Sequence, residues 1–293
     1  MEKYARTDLA CERMGTVADY EESTTVREIG DFRIRTITRR GKAPSEDGGG
    51  RYVSVECGRI TMLDREQREL LARLIAGEMR GMCERLSGKR VDSEFCVFIA
   101  GLGNAELTAD AIGPRTVSKL NVTRHLKAHE AELYRSIGCC TVCALSPGVL
   151  GQTGIETLEI LRGIVDLVHP DAVIVLDALA ARSCERLAST VQITDVGIEP
   201  GSGVGNHRSA VNAKSLSAPV IALGVPTVVD SSTLVYDALQ KANIEKIDGA
   251  LTEVLENGTR FFVSPKDCDL ITDEIAELLS RAIGLAFAEG LAF

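Results

Sequence analysis

Gly101-Leu-Gly-Asn-Ala-Glu-Leu-Thr-Ala-Asp-Ala-Ile-Gly-Pro114 follows directly on the apolar run Phe95-Cys-Val-Phe-Ile-Ala100. The run has the length of a buried strand, and the glycines after it supply a turn. Asp110 stands nine residues past Gly101, where a following helix is expected to begin. A second apolar run, Ala172-Val-Ile-Val-Leu176, ends directly in Asp177. Two carboxylates leaving the ends of two buried strands can meet in the crevice above a parallel sheet, where open α/β folds place their sites. Asp110 and Asp177 are the candidate catalytic pair.

The pattern continues on both sides. Apolar stretches predict strands at 95–100, 139–144, 172–176, 191–194 and 220–223, and helices fit 110–120, 154–168, 180–187 and 233–240. The tail offers helices near 237–256 and 267–288. Strands of this kind separated by helices indicate a parallel sheet covered on both faces. Residues 64–86 form an amphipathic segment with Leu63, Leu70, Leu71, Leu74, Ile75 and Met79 on one face. Asp64 suits its N-cap and Gln67 the capping-box position. Before it, 33–38 and 52–56 alternate as a hairpin would, and Pro44-Ser-Glu-Asp-Gly-Gly-Gly50 reads as a loop. The expected fold class is α/β, a central mostly parallel sheet flanked by helices, with a small N-terminal β extension. One domain is expected over 1–293, with the hairpin extension in 9–62 and the α/β core in 63–293.

Composition narrows the function. The charge balance, 33 Lys and Arg against 42 Asp and Glu, gives −9, which disfavours nucleic acid or an anionic membrane as partner. No apolar run approaches the roughly 18 residues of a membrane span. The first residues lack the apolar core of a signal peptide, and nine scattered cysteines suit a reducing, cytoplasmic compartment.

Each motif has a plain structural reading beside the chemical one. Asp110 alone could be a helix N-cap. Asp177 is harder to assign to structure, because an unpaired carboxylate at a buried strand end is costly. Two glycine loops follow other strands, Pro147-Gly-Val-Leu-Gly-Gln-Thr-Gly-Ile-Glu156 and Pro200-Gly-Ser-Gly-Val-Gly-Asn206. Such loops let backbone N–H groups approach a ligand, so Asn104, Gly148, Gly201, Gly203 and Gly205 are candidates for oxyanion or substrate binding. Neither Gly101-Leu-Gly-Asn104 nor Gly201-Ser-Gly-Val-Gly205 completes G-x-G-x-x-G, and no Walker lysine follows. Cys140-Thr-Val-Cys143 lies in an apolar strand without a second CxxC, and His125, His129, His169 and His207 form no HExxH. Ser146 lacks the G-x-S-x-G elbow. No cofactor and no metal are expected.

Together, GLGNAELTADAIGP, LSPGVLGQTGIETLEI, VIVLDALAARSCER, QITDVGIEPGSGVGN and IALGVPTVVD resemble the germination proteases of endospore-forming bacteria. Arg6-Thr-Asp-Leu-Ala-Cys-Glu12 is similar to that family's processing region, and Phe262-Val-Ser-Pro-Lys-Asp-Cys-Asp269 to the entrance of its C-terminal helix. The resemblance implies an endopeptidase that degrades small acid-soluble spore proteins at germination in the cytoplasm of the forespore and spore core. It implies a fold related to the hydrogenase-maturation peptidases, a homotetramer, and an atypical aspartic mechanism on residues matching Asp110 and Asp177. It also implies a zymogen with a pro-segment in 1–8, processed between Asp8 and Leu9, where an acidic, an apolar and a small residue follow one another. That charged segment offers few apolar anchors and is expected to be mobile enough to reach the site. Two other readings stay open at this point. One is a metal-dependent maturation-type peptidase with Asp110, Asp177 and His207 as ligands. The other is a non-catalytic binding protein of the same fold.

Overall fold

A computed structural model of the chain describes residues 7–12, 20–41, 49–200, 209–244, 248–257 and 261–288. Among these residues the strands are β1 Tyr20–Ile29, β2 Phe32–Gly41, β3 Gly50–Glu56, β4 Cys96–Gly101, β5 Thr141–Leu145, β6 Ala172–Ala181, β7 Thr190–Thr194, β8 Val220–Asp230 and β9 Phe262–Val263. They form one sheet in the order β1-β2-β3-β7-β8-β6-β4-β5, with β9 on β8. Only the pairs β4–β5, β4–β6 and β6–β8 are parallel; the other five are antiparallel. The sheet is therefore mixed and mostly antiparallel, which corrects the expectation of a mostly parallel one. The physical reason lies in β7, which enters through the short 3₁₀ turn Cys184–Arg186 rather than a crossover helix, and so must run against β8.

The helices are α1 Arg65–Ser87, α2 Ile112–Ser118, α3 Arg124–His129, α4 Ala131–Ile137, α5 Leu150–Thr153, α6 Thr157–Val168, α7 Ala213–Leu216, α8 Ser231–Lys241, α9 Gly249–Asn257 and α10 Cys268–Phe287. α1 starts as its sequence predicts: Asp64 Oδ1 accepts from the Gln67 backbone at 2.8 Å, and Gln67 Oε1 accepts from the Asp64 backbone at 3.0 Å. α1, α2 and α10 cover one face of the sheet, packing on Val53, Val55, Ala172, Ile174, Leu176, Val191, Ile193, Ile221 and Leu223. α6 covers part of the other face, on Val173 and Val175. Side chains along β6 alternate between these two layers.

Four local expectations change. The segment 180–187 is not a helix, because β6 runs on to Ala181 in register with β8. Its alanines favour helix, yet the sheet takes them, since pairing on both edges outweighs a propensity of under 1 kcal/mol per residue. Residues 110–120 split into a 3₁₀ turn, Thr108–Asp110, and then α2. Residues 154–168 begin later, with Gly154 the left-handed cap of α5. The 33–38 and 52–56 hairpin forms, but β2 is the middle of a three-stranded meander, because the polar stretch of β1 also pairs with it.

Candidate active site

Asp110 closes the 3₁₀ turn beyond β4, and that turn is clamped on three sides. Thr227 Oγ1 donates to the Ala109 carbonyl at 2.6 Å, Thr272 Oγ1 to the Thr108 carbonyl at 3.1 Å, and Thr108 Oγ1 to Asp269 at 2.8 Å. Thr227 reaches the turn because β8 carries an irregularity there: Leu179 pairs with Pro226 and Ala180 with Val228, leaving Thr227 as the extra residue. The carboxylate is held in turn by the loop it follows, with the Asn104 backbone donating to Asp110 Oδ2 at 2.8 Å. The loop can wrap this closely only because residue 103 is glycine. Its φ is +111°, and a Cβ there would stand 2.0 Å from the Asp110 carbonyl oxygen. Asp110 is thus not the N-cap of α2; Ala111 holds that position without a side-chain cap.

Asp177 lies inside β6 rather than at its end, and is buried. β4 stops one residue earlier, where Leu102 N donates to Leu176 O at 2.8 Å. Beyond that point the β4 side of β6 is open, and Asp177 Oδ1 accepts from the Ala178 backbone at 2.9 Å. On the other side Asp177 pairs with Gly224 of β8, which also pairs with Gln192 of β7. Asp177, Gly224 and Gln192 therefore form one row across three strands, all on the face away from α1 and α10. Gly224 leaves the middle of the row bare, and Leu179 folds over it; a Cβ there would meet Leu179 Cγ at 2.6 Å.

The segment 7–12 occupies this face. Asp8 N donates to Ala180 O at 2.9 Å, and Ala180 N donates to Asp8 Oδ2 at 2.9 Å, on the edge that β4 leaves open. Leu9 is fully buried against Ile37, Leu179, Ala181 and Val229. Gln192 grips the backbone on both sides of Leu9: Nε2 donates to Asp8 O at 3.0 Å, and Oε1 accepts from Ala10 N at 2.7 Å. Glu12 accepts from the backbones of Arg182 at 2.8 Å and Ser183 at 3.1 Å, pairs with Arg186 at 3.5 Å, and receives the Thr7 hydroxyl. Residues 7–12 are docked rather than loose: Leu9, Ala10 and Cys11 are buried together, and Thr7, Asp8, Ala10 and Glu12 are held by the hydrogen bonds above.

A buried carboxylate, Asp177, and a docked peptide on the same sheet face suit peptide-bond chemistry. The family model described as germination protease matches residues 12–243. The chain belongs to the germination protease family. Curated germination proteases match it, two of them over nearly their whole length. That of Caldanaerobacter subterraneus subsp. tengcongensis is 40% identical over 98% of this chain and 95% of its own, and that of Clostridium acetobutylicum 34% over 98% and 96%. The germination protease of Bacillus subtilis is 41% identical over 80% of this chain and 66% of its own.

The remaining predicted residues divide. Asn104 and Gly148 lie at the same mouth: Asn104 Oδ1 accepts from Gln152 Nε2 at 3.0 Å, and a Cβ on Gly148 would stand 3.2 Å from Gln152 Oε1. Asn104 serves the turn, since its Oδ1 also accepts from Glu106 N at 3.0 Å. Gly201, Gly203, Gly205 and His207 fall outside the described residues. Among the described residues no group of three or more His, Cys, Asp or Glu could hold a metal. Burial pushes the Cys140 thiol up to about 12 and that of Cys143 to about 11, the reverse of a metal-binding or redox pair. Gln192 and Gly224 were missed by sequence reasoning. Their only signals were a glutamine inside the apolar strand 191–194 and a glycine followed two residues later by Pro226 inside another.

Proposed function

We propose that this chain is an endopeptidase of small acid-soluble spore proteins that uses Asp110 and Asp177 as an aspartic pair. What carries the reading is the row: Asp177 shares its sheet face with the peptide segment 7–12, which has the acidic, apolar and small residues expected of a substrate. The pair works as one unit with one proton between its members. The ionised carboxylate takes a proton from water, the water oxygen bonds to the scissile carbonyl carbon, and the protonated carboxyl supplies a proton as the C–N bond breaks. The three-point clamp on the Asp110 turn and the burial of Asp177 keep both groups from drifting.

Family membership and the docked segment support the rest of the reading. The chain is a zymogen that cuts itself between Asp8 and Leu9, releasing 1–8 as pro-segment. Residues 1–293 form one peptidase unit related to the hydrogenase-maturation peptidases, acting as a homotetramer in the forespore and spore core. The test incubates purified protein with a small acid-soluble spore protein, fragments being read by mass spectrometry with and without a strong chelator. Asp110→Asn and Asp177→Asn should each lower turnover by about 10³-fold or more with unchanged melting, since an amide cannot relay the proton. Near-wild-type turnover in either variant refutes the pair, and chelator-sensitive cleavage restored by a divalent metal refutes the metal-free mechanism.

A further inference from the structure

Gln192 does more than anchor the N-terminal segment. The bond read above as the processed one joins the carbonyl carbon of Asp8 to the nitrogen of Leu9, and Gln192 Nε2 donates to that same carbonyl oxygen at 3.0 Å. We infer that Gln192 is a catalytic residue, the side-chain donor that stabilises the oxyanion when this bond is cut.

The orientation of the amide follows from its partners. Ala10 N can only donate, so it must face Oε1, and Asp8 O can only accept, so it must face Nε2. A flipped amide would lose both bonds in a buried place, where each unmade bond is expensive. The donor is thus fixed before reaction begins. At 3.0 Å the bond is an ordinary amide–carbonyl hydrogen bond to the ground-state oxygen, with room to shorten as charge develops there. Gln192 is buried, so water does not screen the bond.

The neighbours hold the carbonyl to be attacked. Asp8 is tied on the amino side of its carbonyl by two bonds to Ala180, and Leu9 on the other side by its apolar pocket. Asp177 stands in the row of Gln192, two strand spacings or roughly 10 Å away along the sheet, with Gly224 and the Leu179 side chain that folds over it between them. A water activated by the aspartate pair adds its oxygen to the Asp8 carbonyl carbon, and the carbonyl π electrons move to its oxygen. The growing negative charge shortens and strengthens the bond from Nε2. Collapse of the tetrahedral species re-forms the carbonyl, breaks the C–N bond and sends a proton from the aspartate pair to the Leu9 nitrogen. The products are an Asp8 carboxyl group and a Leu9 amine.

The inference rests on the reading of Asp8 and Leu9 as the processed pair, and two variants separate it from mere docking. Gln192→Glu is isosteric and keeps the acceptor for Ala10 N, but replaces the donor to Asp8 O with a carboxylate oxygen. Gln192→Met fills the space and removes both bonds. First-order loss of residues 1–8 from the full chain is followed by intact mass, and protection of the Ala10 amide by hydrogen exchange. Processing should slow by about 10²–10³-fold in both variants, whereas Ala10 protection should be lost only in the methionine variant. On a spore-protein substrate in trans, the glutamate variant should lose kcat by a similar factor with KM within about threefold. Processing within about threefold of wild type in either variant overturns the assignment, as does a processing rate that simply follows Ala10 protection. Should Asp177→Asn process at the wild-type rate, the site reading itself fails. If Asp177→Asn is inactive and Gln192→Glu is not, only the role of Gln192 falls.

Discussion

Gly103→Ala tests Asp110 without touching its carboxylate. The added methyl would lie 2.0 Å from the Asp110 carbonyl oxygen and 3.1 Å from Oδ1. Real contacts of this kind stay beyond about 3 Å, so the loop and the turn must part by about 1 Å. The turn cannot slide away as a body, because Thr227, Thr272 and Asp269 hold it. The movement therefore falls on Asn104 and Asp110, and the 2.8 Å bond between them lengthens past useful range. Losing a bond to a charged group costs about 1.5–3 kcal/mol, and a misplacement of about 1 Å in a catalytic group costs about 10²-fold in rate. Gly58→Ala is the matched control, since Gly58 also has positive φ (+67°) but nothing lies within 4 Å of the new Cβ. It carries only the left-handed strain, about 1–2 kcal/mol, and should leave turnover unchanged. The assay is kcat on a spore-protein substrate, with thermal melting alongside. Turnover of Gly103→Ala within threefold of Gly58→Ala would refute the argument that Asp110 must sit where the loop holds it.

Two other outcomes follow from burial. Leu9→Ala should empty a closed pocket at a cost of about 2 kcal/mol or more, paid by undocking of the segment, so exchange at the Ala10 amide should quicken about thirtyfold; unchanged protection would mean Leu9 is not the anchor. Burial also pushes the thiols of Cys57, Cys83 and Cys140 up to about 12 from about 9. Their contribution is whole below about pH 9 and declines toward pH 12, because the unfolded chain loses these protons first. Urea unfolding should show each thiol contributing a loss of about 1.4 kcal/mol per pH unit in that window. A slope that does not become shallower in Cys57→Ala contradicts it.

Sequence alone determined a good deal of this protein. The apolar stretches became β4, β6, β7 and β8 because a buried strand must be apolar on both faces, a requirement that is local and visible. The capping box of α1 was legible for the same reason, since its residues lie three apart. The two aspartates could be named because each follows an apolar stretch, and the motifs around them carried the family. The tertiary structure decided what depends on partners far along the chain. Strand direction was one such matter: nothing in 190–194 says whether it runs with or against β8, and the length of the preceding connection settles it. The path of 180–187 was another, since its alanines favour helix until β8 and the N-terminal segment take both edges. Gln192 became a candidate only when register set it opposite Gly224 and Asp177, more than thirty and fourteen residues away, respectively. The N-terminal segment looked loose because its charges had no visible partners. For Asp8 and Glu12 folding supplied them, backbone N–H groups of 180–183 and the Arg186 guanidinium, none of which a linear pattern reveals.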